Sequence, residues 1–311
     1  MSLISLKNDF TKGVFSKKEY IEKMYAYHKA LFEYSEFLAF SSLTKIEILN
    51  GKIIVGMKTV ASDKEIKLVC IPNDSRTTAL EVLNFGEYES GDSKILFELF
   101  SPDAVIFDIG ANIGWYALNF ANSLNQGRVF AFEPIPLTHQ NLLENIALNQ
   151  SDKIEVFNIA LSNFNGISEF FFSPEELGAS SAMNIREDEN ILKVSCKTQT
   201  LDSFVAEKNI EKVDLIKVDV EGGELRVFEG GKNSIQQFKP IVFSEMLRKW
   251  AQKFDYHPND IIRFFAALDY RCFYASESKL KEIFMMDENT VETNFIFLHS
   301  EKHKEKILKL A

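Results

Sequence analysis

From residue 104 to residue 245, short apolar runs alternate with longer amphipathic stretches, the pattern of a parallel sheet crossed by helices. Ala104–Phe107 suits a strand buried on both faces, and Trp115–Leu124 reads as the helix that follows. Arg128–Glu133 is a second short strand that ends in an acid, and Val213–Asp219 and Pro240–Glu245 repeat the theme. Ile154–Ser162 reads as a strand that leaves the sheet at Ala160 and runs into a hairpin over Asn163–Phe172, with Asn165-Gly166 as its turn. Tyr270–Ser276 and Asn294–His299 suit an antiparallel edge.

The flanks follow other periods. Tyr20, Ile21, Met24, Tyr27, Leu31 and Phe32 recur at helical spacing, so one or two helices are expected over residues 15–40. Lys45–Val55 alternates about an Asn50-Gly51 turn and predicts a hairpin, with Lys67–Ile71 as a third strand. Lys302–Lys309 reads as a charged helical tail with a solvated surface. The expected organisation is an N-terminal helical and hairpin extension over residues 1–91, an α/β domain over 92–300 and a tail over 301–311. The fold class is α/β, a mostly parallel Rossmann-like sheet with helices on both faces and an antiparallel edge strand. The extension is read as a cap, an acceptor contact or the surface of a homodimer.

Composition narrows the class. A chain of 311 residues, 46% hydrophobic, can fill the core of one large α/β domain with an addition. The net charge of −10 argues against a broad polyanion-binding face, so nucleic acid is not an expected partner. Cys70, Cys196 and Cys272 are odd in number and lie far apart, which fits free thiols in a reducing compartment. The first residues lack the apolar core of a leader, and no stretch approaches the roughly 20 apolar residues of a spanning helix. A soluble, cytoplasmic protein without a membrane span is expected. The histidines show no ligand spacing with cysteines or acids, and no metal site is assigned.

The candidate chemistry begins where the strand at Ala104 stops at Asp108 and opens into a glycine turn. Gly110 and Gly114 allow a sharp turn with bare N–H groups, against which an anion can sit at a helix N-terminus. Asp108 would meet a cationic group beside that anion. Such a pair suits a zwitterion, and the amino-acid end of S-adenosylmethionine is one. The spacing departs from the dinucleotide fingerprint, because Asn112 stands where the second glycine belongs. Glu133, one βαβ unit further on, is placed to accept hydrogen bonds from ribose hydroxyls. Period two sets Lys217 and Asp219 on one side of their strand, with Asp219 at the ligand-binding carboxyl end. Glu221 and Glu224 follow at a helix N-terminus, where capping is an alternative role.

These stretches resemble the FkbM family of S-adenosylmethionine-dependent methyltransferases. The matching motifs, in order, are FDIGANIGWYAL, VFAFEPIPLTHQNLLENIALN, VFNIALSNFNG, TLDSF and DLIKVDVEGGELRVFEGG, between about Tyr88 and Glu245. The resemblance implies that Asp108, Gly110, Ala111, Asn112 and Gly114 surround the methionine end of the cofactor. It implies Glu133 at the ribose, Ala160, Leu161 and Ser162 at the adenine, and Glu89 and Asp219 close by. It points to O-methylation of a sugar hydroxyl in a glycan or glycosylated metabolite. The base is sought among Asp219, Glu221, Glu245 and His257, with Lys217 orienting Asp219 or sensing the substrate. The segment from Ser173 to Met183 is a candidate lid. Two other readings stay open, a nicotinamide-dependent oxidoreductase and a non-catalytic cofactor-binding interaction protein.

Overall fold

The computed structural model describes residues 1–310 except 63, 73, 75, 76, 89, 174, 175, 182–190, 277 and 278. The chain opens with α1 (Leu3–Thr11) and α2 (Lys17–Leu38), the latter started by a capping box between Ser16 and Glu19. β1 (Leu43–Leu49), β2 (Lys52–Lys58) and β3 (Glu65–Val69) form an antiparallel sheet in that order. Asn50 and Gly51 both take positive φ between β1 and β2, as the predicted hairpin requires. α3 (Thr78–Phe85) and α4 (Ser90–Leu99) lead into the α/β region.

There β4 (Val105–Ile109), α5 (Trp115–Ser123), β5 (Arg128–Phe132), α6 (Pro136–Asn149) and β6 (Ile154–Phe157) form successive parallel crossover units. A side sheet follows, made of β7 (Ala160–Leu161), β8 (Gly166–Ser173), β9 (Glu176–Ser181) and β10 (Leu192–Gln199). α7 (Leu201–Glu207), β11 (Leu215–Val218), α8 (Glu224–Gly230), α9 (Lys232–Phe238) and β12 (Ile241–Glu245) return the chain to the main sheet. The end comprises α10 (Arg248–Ala251), α11 (Pro258–Ala266), β13 (Tyr270–Ser276), β14 (Lys279–Ile283), β15 (Asn294–His299) and α12 (Lys304–Leu310). The main sheet runs β14-β13-β15-β12-β11-β4-β5-β6. β6, β5, β4, β11 and β12 are mutually parallel, while β15 runs antiparallel to both of its neighbours and β14 antiparallel to β13.

Apolar layers cover both faces of this sheet. On one side Ile106, Ala117, Leu118 and Phe120 pack with Val55, Met57, Ile66 and Leu68 of the small sheet. On the other, Phe107, Phe132, Phe204, Phe228 and Phe265 fill the space beneath α7, α8 and α11. Phe107, Phe132 and Phe157 each meet Phe204 edge to face, which accounts for part of the unusual phenylalanine content.

Asparagine side chains tie the small sheet to the large domain. Asn145 and Asn149 of α6 accept the N–H groups of Val69 and Lys67 at 2.9 and 2.8 Å, and Asn119 of α5 accepts that of Val60 at 2.9 Å. Asn145 also donates to the Ile113 carbonyl at 2.8 Å. The exposed edge of β3 is thereby closed by a helix. Asn145→Ala leaves a buried donor and a buried acceptor unpaired, and is expected to cost about 2–3 kcal/mol. A denaturant midpoint unchanged from wild type would refute that.

Two expectations are corrected. Ile154–Ser162 is not one strand running into a hairpin: β6 ends in the main sheet, and β7 pairs in parallel with β10. β8 pairs antiparallel with the other edge of β10, and Asn165 instead accepts the Thr200 N–H at 2.8 Å. Nor is the tail wholly solvated, because Ile307 and Leu310 of α12 are buried. α2, by contrast, has no buried residue. Among the described residues no helix is long and apolar enough to cross a membrane. The three cysteines are buried and unpaired.

Candidate active site

The carboxyl ends of β4, β5 and β11 open onto a cavity that is partly open to solvent. Its walls include Gly110, Asn112, Glu133, Ala160, Leu161, Ser162, Asp219 and Glu221, gathered from four segments of the chain.

The glycine turn is bound to β5. The N–H groups of Gly110 and Ala111 both donate to the Phe132 carbonyl at 3.0 Å, and that of Asn112 donates to Glu133 Oε2 at 3.1 Å. The expectation of bare N–H groups at these positions is therefore corrected: they join two strand ends. Gly110 has φ +77°, and a Cβ there would lie 1.8 Å from the Asp219 carbonyl oxygen. Asn112 also takes positive φ, and its Oδ1 is buried in the cavity wall without a hydrogen-bond partner. Gly114 caps α5 outside the wall, where a Cβ would meet Leu142 of α6 at 2.5 Å. It serves packing, and Ala111 is likewise buried outside the wall.

Glu133 is buried with both oxygens braced, Oε1 by the Ile135 N–H at 3.0 Å and Oε2 by that of Asn112. Burial pushes its carboxyl up to about 7 against these two backbone bonds. Each oxygen keeps a further lone pair for a ligand.

Asp108 lies behind the turn, fully buried, with no close hydrogen-bond partner for either oxygen among the described residues. The cation it meets is the chain's own: Lys217 Nζ stands 3.5 Å from Asp108 Oδ1. The same ammonium donates to the Gly110 carbonyl at 3.1 Å and to Asp219 Oδ2 at 3.3 Å, and lies over the Tyr116 ring at 5.0 Å. Burial raises the Asp108 carboxyl, and Lys217 opposes that shift. Lys217 is itself buried outside the cavity wall, so it orients Asp219 and the glycine turn.

Beyond Asp219, Glu221 takes positive φ and lines the cavity. Glu224 turns inward: its Oε1 accepts the N–H groups of Gly222 and Val220, and its Oε2 the Tyr256 hydroxyl at 2.9 Å. It locks the loop that precedes α8 and does not cap the helix, whose N-cap Gly223 has no side-chain bond.

Two proposed bases are not brought into the cavity. Glu245 ends β12 outside its wall. His257 caps α11: its Nδ1 accepts the Asn259 N–H at 3.1 Å, its own N–H donates to Asp260 at 2.8 Å, and it faces a separate groove with Arg248 and Arg263. Glu89 lies outside the described residues, as do positions 174, 175, 182 and 183 of the candidate lid.

Sequence reasoning missed Phe164, Ser168, Phe170, Thr198, Arg226 and Phe254 in the wall. Thr198 Oγ1 is buried without a partner, like Asn112 Oδ1. The period-two pattern of β10 was the available signal for Thr198, since Cys196 and Thr198 are its inward positions.

A parallel sheet with an antiparallel strand inserted beside its last parallel member, and a cavity at the carboxyl ends of its central strands, defines a Rossmann-like, class I methyltransferase fold. A family model described as the methyltransferase FkbM domain matches residues 108–272, and the chain belongs to that family. It is 32% identical over 161 residues to the 2-O-methyltransferase NoeI of Sinorhizobium fredii, covering 48% of this chain and 65% of that one. It is 31% identical over 149 residues to the hexuronic acid methyltransferase AglP of Haloferax volcanii, covering 48% and 59%. The crystal structure of methyltransferase FkbM from Methylobacillus flagellatus KT aligns with a TM-score of 0.42 at 16% identity, covering 64% of this chain and 44% of that one. The chain thus spans just under two thirds of the length of these two curated relatives.

Proposed function

We propose that this chain is an S-adenosylmethionine-dependent O-methyltransferase acting on a sugar hydroxyl in a glycan or glycosylated metabolite. The observation that carries the reading is Glu133, braced by two backbone N–H groups at the end of β5 with lone pairs left for ribose hydroxyls. The unpartnered Asn112 Oδ1 and Thr198 Oγ1 fit a cofactor with hydrogen-bond donors, and Ile159, Leu161, Phe164 and Phe170 offer an apolar slot for its base. The name of the 2-O-methyltransferase NoeI supports transfer to oxygen, and that of the hexuronic acid methyltransferase AglP supports a sugar acceptor.

When bound, S-adenosylmethionine supplies a methyl group already activated by its sulfonium. The chain's own task is to hold an acceptor oxygen in line, exclude water and take its proton. Asp219 suits the last role, because Lys217 holds its Oδ2 and leaves Oδ1 to accept the hydroxyl proton. Glu221, in the same wall, is the second candidate.

Isothermal titration with S-adenosylhomocysteine, and with NADH as the control, tests the cofactor. Binding of NADH alone would overturn the reading in favour of an oxidoreductase. Methyl transfer to glycan acceptors tests the reaction, and labelling of amines instead of hydroxyls would sink the O-methylation reading.

The site also predicts a pH dependence. A protonated Glu133 offers fewer acceptor positions, so affinity for S-adenosylhomocysteine should rise as pH climbs through about 7. One pH unit below that point the carboxylate is about 10% populated, so the Kd should fall roughly tenfold between about pH 6 and pH 8. Glu133→Gln should flatten the profile, and an equally steep profile in that variant would assign the titration to another group.

A further inference from the structure

Arg226 is the one cation among the described residues that line the cavity, where it stands with Glu133, Asp219 and Glu221. Among the described residues no hydrogen bond or ion pair satisfies its guanidinium. Its neighbour is the Phe254 ring, 5.0 Å from the guanidinium carbon to the ring centroid. Phe254 is itself fixed, since a Cβ at Gly222 would meet that ring at 2.9 Å, and one at Gly223 would touch it at 3.8 Å. The two glycines after Glu221 thus admit an aromatic ring onto the loop, and the ring braces the arginine. A half-buried guanidinium with five donors, set over an aromatic ring and without an ion-pair partner among the described residues, is prepared for a planar anion. The three carboxylates repel an anion from the rest of the wall, so an anionic group has one place to bind.

We propose that Arg226 is the carboxylate receptor of this cavity and restricts it to a ligand carrying that group. The inference rests on the methyltransferase reading of the same site. The carboxylate has two sources, the amino-acid end of the cofactor or a uronic-acid acceptor. The second would make Arg226 a determinant of acceptor specificity.

Titration of wild type, Arg226→Gln and Arg226→Lys separates them. The probes are S-adenosylhomocysteine and 5′-methylthioadenosine, which lacks the amino-acid carboxylate, followed by glucuronate and glucose added to protein loaded with S-adenosylhomocysteine. Arg226→Gln should weaken one carboxylate-bearing probe about 10- to 100-fold, the range for a hydrogen bond to a charged partner, and leave its uncharged counterpart within about twofold. Arg226→Lys should recover part of that loss, because it keeps the charge without the fork. Loss confined to S-adenosylhomocysteine assigns the cofactor's carboxylate, and loss confined to glucuronate assigns the acceptor's. Equal weakening of charged and uncharged probes, or no change in any of them, overturns the proposal. Failure of wild type to bind S-adenosylhomocysteine removes the methyltransferase reading itself. That outcome differs from a neutral Arg226→Gln in a protein that binds it.

Discussion

Gly110→Ala is expected to abolish S-adenosylhomocysteine binding, with a loss of at least about 100-fold, equivalent to roughly 3 kcal/mol. The residue sits at φ +77°, and an added Cβ would fall 1.8 Å from the Asp219 carbonyl oxygen. That oxygen is backbone, so no rotamer relieves the overlap. Relief requires the β4 turn to part from the β11 end, which are joined by the Asp219 N–H donating to the Ile109 carbonyl at 3.0 Å. The left-handed φ adds about 1–2 kcal/mol for an alanine. Parting the turn would also pull Asn112 from Glu133, disturbing two cavity walls with one methyl group. Gly91→Ala is the matched control, because open space surrounds that position on α4. Calorimetry giving Gly110→Ala wild-type affinity would show that the turn tolerates the methyl and that the cavity is not organised around it.

The strand ends of this site are legible in the sequence because burial on both faces writes an apolar run, and the first acid after the run marks its carboxyl end. Asp108, Glu133 and Asp219 are found that way. The roles of the neighbouring groups are less legible, because hydrogen bonding decides them. The N–H groups of the glycine turn look free in sequence, and only the adjacency of β4 and β5 gives them the Phe132 carbonyl. Histidine is a common base by residue type, yet the Asp260 three residues after His257 marks a capping box in hindsight.

The hairpin read at Asn165-Gly166 fails for a similar reason. A turn signal reports local backbone, whereas β10, more than 25 residues away, provides the pairing surface for β7 and β8 alike. Arg226 escapes notice although it stands inside the motif DLIKVDVEGGELRVFEGG, and Phe254 lies outside every motif, because no sequence period links the two. They are brought together by a glycine pair and a helical turn from another part of the chain. What sequence pattern conveys is the scaffold of the site, and what it omits is the set of contacts between segments distant along the chain.

Lys217→Met should produce the largest loss of stability of any single change at this site. Methionine matches the aliphatic stem in volume, so the change removes the charge with little effect on packing. The ammonium is the counter-charge of Asp108, whose carboxyl group is fully buried and has no close hydrogen-bond partner among the described residues. Removing one partner of a buried pair typically costs about 3–5 kcal/mol, and that range is expected near neutral pH. The pH dependence has a definite sign. Burial already raises the Asp108 carboxyl against the opposing Lys217, and taking the lysine away raises it further. The folded variant then holds a proton that the unfolded chain releases near pH 4, so its deficit is small close to about pH 4 and grows as pH rises. Lys217→Met/Asp108→Asn should recover most of the loss, since no unpaired charge stays buried. Asp219, freed from its 3.3 Å contact, should still lose its orientation in both variants, so transfer activity stays low while stability returns. Chemical denaturation across that pH range, with methyl transfer measured on the same proteins, separates the two effects. A deficit independent of pH, or activity restored together with stability, would show that Lys217 does not hold both carboxylates.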